Sequence, residues 1–419
     1  MYSMSAIGAL LGLILSIILI IRKVSPVYSL ILGALIGGLL GGFTLLDTIT
    51  YMVDGVKDIT PAILRILTAG VLSGVLIKTG AASSISNTII EKLGRSHVYL
   101  ALALATFFLT AIGVFIDVAV ITVAPVALSI GKRLSIRKAV LLLVMIGGGK
   151  CGNIISPNPN TIIAAENFNA DLFSVMYANI LPAILGLIVT VYVVARFMPV
   201  MGDLVQEEDL DKEQENLPSF LSSMVAPGVT ILLLSFRPLF GYGIDPLIAL
   251  PVGGVVGVMA MGKVRFLKES MTYGLSRMSV IAVLLVGTGT IAGIIKASTL
   301  KEVMLSVLGN TNFGEVLIAP LSGILMGATT ASSTAGATIA SSSFSEIILN
   351  AGISGIWGAA LINAGATVLD HLPHGSFFHA TGGVTNVNIN NRLKLIPYES
   401  IIGFVLTFSS VIAYYLFEG

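Results

Sequence analysis

GGGKCGNIISPNPNTIIA (Gly147–Ala164) lies inside what would otherwise be one membrane-spanning helix. The run of three glycines at 147–149 and the two prolines there predict a broken helix, and backbone freed at membrane depth persists only where it lines a cavity or is buried in protein. Asn153, Asn158, Asn160 and Thr161 place neutral donors and acceptors at the break. Thr161 falls where a second half-helix is expected to begin, and a helix N-terminus attracts anions. The competing reading is an extramembrane loop between two short helices; it is disfavoured because neither flank is long enough to span alone.

The rest of the chain supplies the membrane. Of 419 residues, 55% are hydrophobic and 11% charged, against roughly 25% charged in ordinary soluble domains. Mean hydropathy is +0.96. Apolar stretches recur at residues 4–21, 25–44, 61–79, 98–131 (two arms), 139–166 (interrupted) and 172–199. After a polar interval they resume at 220–237, 245–262, 279–296, 314–345 (two arms), 354–380 (interrupted) and 395–416. The segment Met4 to Ile21 lacks a basic start, with Arg22 and Lys23 following it, and reads as a retained span rather than a signal peptide. A net charge of +1 offers nothing to nucleic acid, and the single Cys151 cannot form an intrachain disulfide.

The polar interval, MGDLVQEEDLDKEQENLPS at residues 201–219, divides the chain nearly in half, and the halves resemble each other. GVLIKTG (Gly74–Gly80) matches GIIKAS (Gly293–Ser298), and IISPNPNTIIAA (Ile154–Ala165) falls opposite DHLPHGSFFHA (Asp370–Ala380), with Pro157 against Pro373. Lysine and arginine cluster at Arg22–Lys23, Lys92–Arg95, Lys132–Lys138, Lys263–Lys268 and Arg392–Lys394, while the loops around 45–60, 167–171, 238–244 and 346–353 are nearly free of them. The first set is therefore expected in the cytoplasm, with both chain termini outside. The basic loop at 132–138 corresponds to Ser345–Ser354, which has no lysine or arginine, so the repeats are expected to be inverted. The fold expected is an all-α polytopic membrane protein of two inverted-topology repeats with interrupted helices and re-entrant hairpins. Residues 1–200 form the first repeat, 201–219 an acidic cytoplasmic linker and 220–419 the second repeat. That is the architecture of secondary transporters, in which substrate sits near the midplane where broken helices meet.

Four further features carry chemistry. The second break, LDHLPHGSFFHATGG (Leu369–Gly383), holds His371, His374 and His379, three of the four histidines, beside Asp370 and Ser376. Its H-x2-H-x4-H spacing is not a standard zinc pattern. A His–Asp pair at membrane depth instead suggests substrate contact or proton relay. TTASSTAGATIASSS (Thr329–Ser343) has no charge and little bulk; it is either a helix-packing seam or a hairpin tip offering Thr330, Ser332, Ser333 and Thr334 to a polyol or carboxylate. Asp117 stands alone among apolar neighbours at the matching tip of the first half, where ionisation is expensive. Lys150 is expected to pair with Asp117 or with a substrate carboxylate.

With GGGKCGNIISPNPNTIIAAENF, GATTASSTAGATIASSSF and DHLPHGSFFHATGG leading into NNRLKLIPYES, the chain resembles the gluconate permease family, within the wider ion transporter superfamily, over nearly its whole length. The resemblance implies proton-coupled symport of gluconate and similar hydroxy acids, a homodimer, and elevator-type movement of a transport domain. It also implies two Ser-Asn-Thr type elements for the substrate carboxylate, Asn158, Asn160 and Thr161 in one half and Ser332, Ser333 and Thr334 in the other. The expected function is thus a multi-pass symporter of the cytoplasmic membrane, not an enzyme, importing a small hydroxylated monocarboxylate. Lys150, Asn153, His374 and Ser376 join those two elements and Thr330 around the substrate, and Asp117, Asp370 and His374 are the candidates for the proton. No cofactor or bound metal is expected; sodium is the alternative coupling ion. Two rival readings are a sodium-coupled di- or tricarboxylate carrier and an intramembrane metalloenzyme built on His371, His374 and His379.

Overall fold

A computed structural model of the chain describes residues 5–94, 97–195, 202–210, 216–236, 240, 243–300, 303, 314–373 and 375–418. His374 lies outside the described residues, and with it the calls made on that side chain. The described residues are almost wholly helical and include no β-strand beyond one isolated bridge. Four stretches are long and apolar enough to cross a membrane, Leu45–Lys78, Leu172–Tyr192, Val264–Lys296 and Ile389–Phe417, and several shorter apolar helices accompany them.

The first half contains α1 (Ala6–Ile21), α2 (Pro26–Leu40), α3 (Leu45–Lys78), α4 (Ala81–Leu93), the hairpin α5 (Val98–Ala111) and α6 (Ile116–Leu134), the broken pair α7 (Lys138–Asn153) and α8 (Pro159–Asn167), then α9 (Leu172–Ala178) and α10 (Ile180–Ile188). The second half repeats this order. It has α11 (Phe220–Leu234), α12 (Pro246–Ala260), α13 (Leu267–Lys296), the hairpin α14 (Gly314–Thr330) and α15 (Ser333–Asn350), the broken pair α16 (Gly355–Gly365) and α17 (Ser376–Val384), and α18 (Ile389–Phe417).

Glycine spacing sets the central contact. Gly55, Gly70 and Gly74 of α3 are spaced as Gly274, Gly289 and Gly293 are on α13. A Cβ on Gly274 would stand 1.9 Å from the Gly70 carbonyl oxygen, and one on Gly55 would stand 2.1 Å from that of Gly289. Likewise Gly74 abuts Ser270, and Gly293 abuts Tyr51. The two long helices therefore run antiparallel, and each contact has a counterpart with the halves exchanged. Close backbone approach through small residues is how helices associate where lipid removes the hydrophobic drive. Around this pair α1, α2, α11 and α12 form one panel, while the hairpins, broken helices and α18 form a second body against it.

Three expectations change. Residues 45–60, expected as a loop, are helical, since Thr44 caps α3 by accepting from the Asp47 N–H (3.1 Å) and the helix runs on through Pro61. Gly147–Gly149 do not break α7. Each packs on a different neighbour: Gly147 on Thr190, Gly149 on Ile116 of α6, and Gly148 on α5, where a Cβ would meet the Ala103 carbonyl at 2.1 Å; the break comes only at residues 154–158, around Pro157. In the second half the helix stops at Gly365, eight positions before Pro373, with Gly365 against the Pro320 carbonyl.

The acidic linker is not a free tether. Its residues 202–210 and 216–219 tie together the loops expected in the cytoplasm. Lys138 N–H donates to Asp203 O (3.0 Å), Lys138 Nζ lies 2.6 Å from Asp209 Oδ2, Asn386 donates to Asp209 Oδ1 (3.1 Å), and Lys263 Nζ donates to Asn216 O (3.2 Å). Burial alone would raise the Asp209 carboxyl. The Lys138 ammonium, the Gln206 N–H and the Asn386 amide outweigh it and hold the group below the usual carboxylate range.

Candidate functional site

Both hairpin tips and both helix breaks meet at one cavity of about 250 Å³. The first tip contributes Phe115, Ile116 and Asp117, and the second Ser332, Ser333 and Thr334. Asn153 comes from the end of α7, Asp370, Ser376 and Phe377 from the second break, and Ser276, Arg277, Val280 and Ile281 from α13. The first turns of α6, α15 and α17 thus face one space, so three positive helix ends converge on it. Ser332 caps α15 through the Ala335 N–H, whereas α6 and α17 have no side-chain cap hydrogen bond. Free N–H groups at a helix start suit an anion.

Asn153 is 3% exposed; its Oδ1 accepts from Asn158 Nδ2 (2.6 Å) and its Nδ2 finds no partner. A buried donor left unmade costs on the order of 1–3 kcal/mol, so this amide is poised for a ligand acceptor. Arg277 is the one cation lining the cavity among the described residues; its Nη1 lies 3.7 Å from Asp117 Oδ2, beyond hydrogen-bond reach. Asp117 is therefore not alone among apolar neighbours, and its partner is Arg277 rather than Lys150.

Lys150 is fully buried elsewhere. It donates to Thr367 O (2.5 Å) and Asp370 Oδ1 (2.6 Å) and lies 2.9 Å from His371 Nδ1. Because the ammonium only donates, Nδ1 is assigned as the acceptor, and Nε2 then donates to Ile396 O (3.0 Å). His371 Nδ1 also stands 3.9 Å from Glu399, which is paired with Arg392. Five buried ionisable groups so bind the end of α7 to the second break and to α18. His379, by contrast, is exposed and bonded to Pro373 O (2.8 Å), so His371 and His379 do not converge.

Other expected contacts point inward to the protein. Asn158 caps α8 through the Thr161 N–H (3.2 Å), Asn160 Nδ2 donates to Asn363 Oδ1 (2.6 Å), and Asn363 Nδ2 donates to Thr161 Oγ1 (3.1 Å). This amide web stitches α8 to α16 and does not line the cavity. The Thr330 hydroxyl is spent on Met326 O (2.8 Å) and Ser332 O (3.2 Å), steadying a tip where Ala331 takes φ +47°. Sequence reasoning passed over Arg277 and Asn363. Arg277 fell outside a span drawn from 279, although one arginine ten residues into a long helix was a signal.

Two larger hollows, about 560 and 510 Å³, are lined by Asp58, Glu166 and Glu346 and by Glu166, Asp171 and Asp245. Their cations are committed, Lys296 to Asp58 (3.0 Å) and Arg65 to both Glu166 and Asp245. On chemistry the smaller cavity is the better anion site.

The GntP family permease profile matches residues 4–417. The chain belongs to this family. An uncharacterized transporter of Haemophilus influenzae is 53% identical over 374 residues, covering 89% of each protein. A high-affinity gluconate transporter of Escherichia coli K12 is 23% identical over 332 residues, covering 73% of this chain and 75% of that one. In three dimensions the permease matches the Alcanivorax borkumensis YdaH transporter, a crystal structure described as having an unusual topology. The TM-score is 0.64 at 15% identity, covering 88% and 89% of the two chains, a likeness of fold. This GntP permease is a multi-pass membrane transporter, not an enzyme.

Proposed function

We propose that this permease imports a small hydroxylated monocarboxylate, of the gluconate type, together with protons across the cytoplasmic membrane. The observation that carries the reading is the convergence of three helix N-termini, Arg277 and the unpaired Asn153 amide on one cavity of about 250 Å³. Such a space is below the roughly 300–1,000 Å³ of drug-sized pockets and fits a small solute. The hydroxyls of Ser332, Ser333, Thr334 and Ser376 serve the substrate's own hydroxyls. Arg277, the one cation on the cavity wall among the described residues, matches one carboxylate; a dicarboxylate would want a second, and Lys150 is sealed away from the cavity. The gluconate transporter among the relatives supports a sugar acid.

Alternating access would then move the body of hairpins and broken helices against the α3–α13 panel, as an elevator, in a homodimer of two inverted repeats per chain. The linker and basic loops would face the cytoplasm and both termini the outside. A thermal-shift panel of sugar acids, hydroxy acids and amino acids on detergent-solubilised protein tests the ligand class. Stabilisation by a hydroxy monocarboxylate is expected, since binding to the folded state alone adds about 2.7 kcal/mol at a ligand concentration one hundred times Kd. Stabilisation by amino acids only, or silence across all carboxylates, would refute the proposed site.

A further inference from the structure

We propose that Arg277 binds the substrate carboxylate and that Asp117 is the group which exchanges its hold on Arg277 for a proton. Each anion would then cross with one proton and no net charge. The proposal rests on the cavity being the substrate site, as argued above.

The geometry separates this pair from the other intramembrane arginines. Arg65 and Arg392 each donate directly to a carboxylate. Arg277 and Asp117 stand 3.7 Å apart, with side chains 43% and 26% exposed. They are close enough to attract and too far apart to be hydrogen-bonded to each other, and the one side-chain hydrogen bond of the guanidinium goes to Tyr273. The guanidinium lies 5.7 Å from the centre of the Tyr273 ring on its own helix, and its five N–H donors leave capacity for a carboxylate beside the bond to Tyr273. Asp117 sits in the first turn of α6 at a hairpin tip, and Arg277 on α13 of the opposing panel. The pair therefore bridges the two bodies that must move past each other.

The ionisable surroundings are few. On the cavity wall among the described residues stand Asp117, Arg277 and Asp370, and Asp370 is already taken by Lys150. Tyr273 lies beneath the guanidinium. From α17, which packs on α6, His379 turns to Pro373 O. Asp117 is thus the acid whose protonation breaks no buried ion pair.

The charges balance. With the site empty, Asp117 carboxylate and Arg277 guanidinium sum to zero. Outside, a proton from water binds the Asp117 carboxylate, the guanidinium is released, and the substrate carboxylate takes its place. The loaded site again sums to zero. Inside, the anion leaves, the proton passes from Asp117 to water, and Arg277 returns to its partner. The electrostatic state of the moving site is the same in both directions of the cycle.

The test is uptake of labelled gluconate into proteoliposomes, with the hydroxy-acid panel as alternates, under an imposed pH gradient. Asp117→Asn is expected to lose gradient-driven accumulation at least tenfold while still letting label equilibrate. Arg277→Gln is expected to raise KM by about 10- to 100-fold, the worth of a charge-assisted pair, with Arg277→Lys between it and the parent. Asp117→Glu and Arg277→Lys serve if the neutral variants do not fold, and a shifted KM is expected in both. Wild-type accumulation in Asp117→Asn, or an unchanged KM in folded Arg277→Gln or Arg277→Lys, overturns the proposal. Wild-type protein silent toward every carboxylate overturns instead the reading of the cavity on which it rests.

Discussion

Two acid–base pairs reach the same cavity wall and are built to opposite ends. Lys150 and Asp370 are 2.6 Å apart and sealed, with every ammonium proton directed at an acceptor. Asp117 and Arg277 are 3.7 Å apart, part-exposed, and face a cavity. The first pair fixes one half of the molecule to the other; the second has somewhere to go. A buried charge that is fully matched is a fastener, and one that is half matched beside a space is a site.

The largest effect that would sharpen this contrast is on stability. Lys150→Met leaves Asp370 buried and unpaired, and a loss of about 3–5 kcal/mol is expected, read as a lower melting temperature and poor yield in detergent. Pairing it with Asp370→Leu should recover most of that loss, because well-packed apolar residues often replace a buried ion pair without penalty. If the double variant remains as unstable as the single, the pair does more than fasten. Next, Gly274→Val should cost about 1–3 kcal/mol by forcing α3 and α13 apart at Gly70. Equal stability would refute the close backbone contact.

At the cavity, Asn153→Ala removes the unpaired amide and should weaken hydroxy-acid affinity by about tenfold, or about 1.4 kcal/mol, with the fold intact. Asn160→Ala should instead act on stability, since that side chain serves Asn363. A reversed pattern would exchange the roles of Asn153 and Asn160. The smallest effect concerns the linker. The Asp209 carboxyl is held low in the folded protein, so its contribution is present above the unfolded value of about 3.9 and lost as pH falls through the folded value. Protease cleavage near residues 203–210 should therefore rise only in strong acid, whereas Asp209→Asn should be more readily cut at neutral pH.

Much of this was legible in the sequence. Hydrophobic length gave the spans, Pro157 and Pro373 marked both breaks, and Ser332–Thr334 and Asp117 marked the two tips, all of which reach the cavity wall or its frame. What the sequence concealed depended on which face a residue turns. Asn158, Asn160 and Thr161 have the chemistry of a binding loop, but Asn158 caps α8 and Asn160 Nδ2 and Thr161 Oγ1 meet Asn363, a partner about 200 positions away, with Asn160 Oδ1 left unmade. Gly147–Gly149 looked like helix breakers and are instead packing positions. Arg277 fell outside the apolar run drawn from residue 279 because α13 begins twelve residues before that run.

The most direct measurement is the charge and proton count of transport. Internal pH and labelled hydroxy-acid uptake would be followed together in proteoliposomes, with and without a potassium diffusion potential. One proton entering per anion, at a rate indifferent to the potential, is the expected result. Uptake that requires sodium, or that carries net charge, would contradict the exchange of Arg277 between Asp117 and substrate.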